Sequence, residues 1–67
     1  MAKTATPKQI IALITKRGFA LVRQKGSHAI YADSNKTLII IPMHARDISK
    51  GTLNHILKTA GLTIKDL

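Results

Sequence analysis

Gln24-Lys25-Gly26-Ser27-His28 is the stretch on which the fold turns. Lys25-Gly26-Ser27 supplies a short basic connection built from turn-forming residues. Phe19 to Gln24 on one side and His28 to Ala32 on the other are apolar and partly β-branched. Two such runs joined by so short a link read as antiparallel strands. The turn therefore delivers His28 to the start of a strand.

Working outward, Asp33-Ser34-Asn35-Lys36 is a second cluster of turn formers, and Thr37 to Ile41 is a third strand of almost purely β-branched residues. Pro42 ends it, because proline donates no ladder hydrogen bond. Upstream, Thr6-Pro7-Lys8-Gln9 has the form of a capping box with proline at the first helical position. Ile10, Leu13 and Ile14 recur at helical spacing, with Ile11 widening the stripe. Lys16 and Arg17 suit the carbonyl end of the helix and Gly18 its left-handed stop, so a first helix is expected over 7–17. Residues 1–5 read as a frayed tail.

Downstream, Met43 to Ile48 reads as an irregular basic loop carrying His44 and Arg46. Ser49 is the expected cap of a second helix, with Ile48 and Leu53 as a hydrophobic staple across it. Leu53, Ile56, Leu57 and Ala60 form its apolar stripe, Gly61 ends it, and Thr63 to Leu67 can add one more turn. The order is α-β-β-β-α: a three-stranded antiparallel sheet with both helices on one face, an α+β fold in a single domain over 1–67. Period-two alternation pairs Phe19 with Leu21 and Ile39 with Ile41 as inward residues. Strand two puts Ile30 on the face of His28 and Tyr31 on the other, and one bulge would reverse the assignment.

Sixty-seven residues leave room for one core, and an apolar content of 45% is that of a globular chain. With no cysteine, neither a disulfide framework nor a thiolate zinc site is expected, which fits a reducing cytoplasm. The sequence holds neither an apolar run long enough for a membrane span nor a signal-peptide core. Eleven Lys and Arg against three acidic residues give a charge of +8. That balance favours a polyanionic partner. The basic residues are scattered from Lys3 to Lys65, not gathered on one amphipathic helix, so nucleic acid or an acidic protein is expected before a membrane surface.

Gly18-Phe19, Arg23 through His28, Tyr31, Ile41-Pro42-Met43-His44 and Gly51-Thr52-Leu53 with Ile56-Leu57 and Ala60-Gly61 together resemble the HicA toxin family of bacterial toxin–antitoxin systems. The likeness spans roughly residues 7–67. It implies a double-stranded-RNA-binding-domain-like fold and a ribonuclease that cleaves mRNA, with the histidine of Gly26-Ser27-His28 catalytic. It also implies neutralisation by a HicB-type antitoxin, with DNA reached only indirectly through that antitoxin. The Asp33–Lys36 turn lacks the glycine that many such turns carry.

RNA carries its own nucleophile, the 2′-hydroxyl, beside each phosphodiester. Cleavage needs a base for that proton, an acid for the leaving oxygen and positive charge on the phosphate, and no cofactor. Histidine is the side-chain type able to do either proton task near neutral pH. Arg23, Lys25 and the backbone N–H groups around Gly26 are candidates to hold phosphate beside His28, and Ser27 to bond phosphate or ribose. Tyr31 is a candidate to stack on a base, although packing is the commoner role of a sheet tyrosine. Lys36, Arg46 and Lys50 are candidates to track phosphates, Lys50 beside the free N–H groups of a helix start. His44 is a candidate second acid or phosphate contact, with a positional role favoured. His55, off the apolar stripe, reads as solvated, as do Lys3, Lys58 and Lys65. The three histidines lack close ligand spacing, so no metal site is expected. A non-catalytic RNA-binding module of the same fold is the rival reading. A DNA-binding helix-turn-helix ranks last, because three strands separate the helices. The antitoxin's contact face should be acidic, since this chain is basic.

Overall fold

The computed structural model describes residues 4–67, and its elements run α1 (Pro7–Lys16), β1 (Ala20–Lys25), β2 (His28–Ala32), β3 (Leu38–Pro42), α2 (Lys50–Thr59) and a closing 3-10 turn (Ile64–Asp66). The sheet order is β1-β2-β3, antiparallel throughout, so the fold is the expected α-β-β-β-α domain. Lys3 and the first part of the expected frayed tail lie outside the described residues.

Local chemistry accounts for the ends of α1. The Thr6 hydroxyl accepts from the Gln9 N–H at 3.2 Å, and the Gln9 side chain accepts from the Thr6 N–H at 2.9 Å. Two otherwise orphaned donors are thereby satisfied reciprocally. Gly18 takes φ +94° and stops the helix. Arg17 donates from Nη2 to the Gly61 carbonyl at 3.1 Å, tying the two helix ends together. Ser49 is the N-cap of α2, but its side chain makes no capping bond and instead donates to the Thr52 hydroxyl at 3.1 Å. The staple residues Ile48 and Leu53 are both fully buried.

The core gathers Ile10 and Ile14 of α1, Phe19, Ala29 and Tyr31, Ile39 and Ile41 of β3, Ile48, and Leu53, Ile56, Leu57 and Ala60 at α2. Two expectations are corrected. Leu21 is not buried beside Phe19: it stands opposite inward-facing Tyr31 but is 53% exposed, because the helices pack more closely over β3 than over β1. The register slips just after Leu21, and the extra residue there, Val22, resets the alternation so that Arg23 and Lys25 stand on the face of Ile30 and His28. Nor is Ala5 part of a frayed tail. It is 2% exposed, and its carbonyl accepts from the Ile48 N–H at 2.8 Å, so it is stitched to the segment entering α2.

On β2, Ala29 and Tyr31 point inward, so His28 and Ile30 face away from the helices. Partners directly opposite in a ladder share a face. Lys25 opposite His28, Arg23 opposite Ile30 and Ile40 of β3 therefore share the outer face. The sheet thus has one face covered by helices and one open face carrying the basic turn.

Candidate functional site

The β1–β2 connection positions His28. Gly26 has φ +59° while Ser27 stays outside the left-handed region, a glycine-first two-residue hairpin turn. Beyond its chain neighbours no heavy atom lies within 4 Å of where a Gly26 side chain would start, so backbone conformation and not crowding explains the glycine. The turn sets Lys25 opposite His28 as a ladder partner, with both side chains exposed. Arg23 lies on the same face, and Ser27 is half-buried between the strand ends.

On its other side His28 pairs with Pro42, the last residue of β3. The chain is held there past the strand end, for the Met43 N–H donates to the Ser27 carbonyl at 2.6 Å. A further turn follows, with the Ala45 N–H donating to the Pro42 carbonyl at 3.2 Å. Between these two bonds sits His44, its ring centroid 6.0 Å from that of His28 and the planes inclined at 67°. Both histidines are exposed. Two proton-carrying rings and the Lys25 ammonium therefore open to solvent at one end of the sheet.

The remaining candidates divide. Arg46 is exposed on the loop that carries His44, and Lys50 is exposed at the first position of α2. Lys36 is at the opposite end of the β2–β3 hairpin from His28, in the connection between Ala32 and Leu38. Tyr31 is 7% exposed and belongs to the core, which leaves little ring surface for stacking on a base. His55 is exposed on α2 beside Leu38 and Ile40, apart from the pair. No group of three His, Asp or Glu side chains gathers to hold a metal ion among the described residues.

The sequence marks His44 as a candidate without bringing it to His28. Hairpin arithmetic is the signal that does so. Partners across β2 and β3 sum to a constant, His28 with Pro42 and Ala32 with Leu38, so residue 44 lies just past the end of the ladder beside the β1–β2 turn.

A family model described as the HicA toxin of bacterial toxin–antitoxin systems matches residues 7–62. The chain belongs to the HicA toxin family. Its place as the toxin of a toxin–antitoxin pair follows, and with it an antitoxin partner. The match takes in every candidate residue from Arg23 to Lys50, so the histidine pair lies inside the HicA region. A comparison with curated proteins finds no match. No helix among the described residues is long and apolar enough to cross a membrane.

Proposed function

We propose that this HicA-family chain is a metal-independent endoribonuclease that cleaves mRNA in the cytoplasm, with His28 moving a proton at the scissile phosphodiester. The observation that carries the reading is the position of His28: exposed, on the open sheet face, and directly opposite Lys25 across a glycine turn. A phosphate held by Lys25, with Arg23 on the same face and Ser27 at the turn, lies where the His28 ring can reach the 2′-hydroxyl or the leaving oxygen. The phosphate charge is met by the ammonium and guanidinium groups as it grows in the transition state. The open geometry at Gly26 lets an RNA backbone approach the turn closely. The antitoxin is of the HicB type and covers this basic face with acidic side chains, leaving DNA contact to the antitoxin.

The test is cleavage of an end-labelled RNA in EDTA by wild type and His28→Ala, with RNA binding followed in parallel. Wild type should cut, and the variant should bind comparably while cutting about 10²- to 10⁴-fold more slowly. Equal cutting by the variant overturns the role of His28. Binding without cleavage by the wild-type protein would favour a non-catalytic RNA-binding module.

A further inference from the structure

Resting on the ribonuclease reading, we infer that His44 is a second catalytic residue, forming with His28 the pair that carries both proton transfers of RNA cleavage. Two observations support it. The rings are 6.0 Å apart, too far to bond each other directly through their nitrogens in an edge-to-face arrangement, yet close enough to flank one group. Each ring needs hydrogen-bond reach of about 2.6–3.2 Å to the oxygen it serves, and rings this close can serve two oxygens of one phosphodiester laid across them. Backbone bonds on either side of His44, Met43 N–H to Ser27 O at 2.6 Å and Ala45 N–H to Pro42 O at 3.2 Å, also hold its segment against the turn that carries His28.

The bland alternative is an edge-to-face aromatic contact, for which 6.0 Å is an ordinary separation. Such contacts stabilise mainly where they bury surface. Here both rings are exposed and neither belongs to the core. Two imidazoles set side by side in solvent, with Lys25 opposite one of them, add little to stability.

The step balances with no further reagent. One ring, neutral, accepts the 2′-hydroxyl proton as the 2′-oxygen bonds to phosphorus. The bond from phosphorus to the 5′-oxygen breaks with its electron pair on that oxygen, which takes a proton from the other, protonated ring. The products are a 2′,3′-cyclic phosphate and a 5′-hydroxyl. The rings finish with their protons exchanged and reset through water.

The experiment compares wild type, His28→Ala, His44→Ala and His44→Phe on ordinary RNA and on RNA with sulfur in place of the scissile 5′-oxygen, in EDTA. A thiolate leaves without protonation, so the sulfur substrate needs no general acid. His44→Ala and His44→Phe should each lose about 10²- to 10⁴-fold on ordinary RNA, although phenylalanine keeps the ring contact. Whichever of His28→Ala and His44→Ala removes the acid should regain near-wild-type cleavage on the sulfur substrate, and the other should not. His44→Phe retaining wild-type cleavage, or neither alanine variant regaining it, overturns the pair. If wild type cuts neither RNA, the ribonuclease reading itself fails, which is a separate result.

Discussion

The Met43 N–H donates to the Ser27 carbonyl at 2.6 Å, and each of these residues is the chain neighbour of one of the two paired histidines. This bond fastens the start of the loop after β3 to the turn before β2. It holds the site by backbone, leaving both imidazoles exposed. Ordinary packing forces could not place two solvated rings this way, because neither buries enough surface to fix its own position.

The turn that feeds this bond rests on Gly26 at φ +59°. Gly26→Ala forces a Cβ into the left-handed region and should cost about 1–2 kcal/mol. For a domain of this size each kcal/mol lowers Tm by about 4–8 °C. Thermal unfolding checks the loss. Gly26→Asn, which tolerates that conformation better, should lie between alanine and wild type.

Leu21 and Ile39 both stand opposite Tyr31, and simple alternation treats them alike, yet the helices cover β3 more closely than β1. Ile39 is 3% exposed and Leu21 is 53% exposed. Ile39→Ala should cost about 2–5 kcal/mol through a cavity in the core. Leu21→Ala should stay within about 0.5 kcal/mol of wild type. Denaturant midpoints at constant slope decide between this arrangement and one with Leu21 buried.

Lys36 holds φ +63°, the position where many turns place glycine, while Asp33 Oδ1 accepts from the Asn35 and Thr37 N–H groups at 3.0 and 2.9 Å. Lys36→Gly relieves that strain and should raise stability by up to about 1 kcal/mol, read as a higher Tm. Because Lys36 lies at the far end of the hairpin from His28, cleavage of bound RNA should be unchanged.

Lys25 gives the opposite result. As the ladder partner of His28 it stands at the site. Lys25→Ala should weaken RNA binding and lower the slope of log affinity against log salt by about 0.7–0.9, the contribution of one phosphate contact. Binding isotherms at three or more salt concentrations measure it.

Much of this fold is legible in the sequence because its signals are local. The Thr6-Pro7-Lys8-Gln9 box, the Gly18 stop and the strand limits of β2 each depend on neighbours within a few residues, and each is where the sequence places it. What escapes is non-local or carries no residue signature. A one-residue bulge at Val22 leaves composition untouched while moving Arg23 and Lys25 onto the face of His28. The Ala5–Ile48 bridge joins segments whose meeting depends on the completed fold. The nearness of His28 and His44 depends on the register of the β2–β3 hairpin, which the turn at Asp33–Thr37 sets. An expected strand start at Thr37 differs from the observed Leu38 by one residue, a difference in strand limit only, whereas the register itself decides which groups stand opposite.

The central claim is that RNA supplies its own nucleophile and His28 moves a proton for it. Mass spectrometry of the RNA fragments made in EDTA tests this most directly. Wild type should yield 2′,3′-cyclic phosphate and 5′-hydroxyl ends, with no such fragments above background from His28→Ala. Fragments ending in 3′-hydroxyl and 5′-phosphate, or identical fragments from His28→Ala, would contradict it.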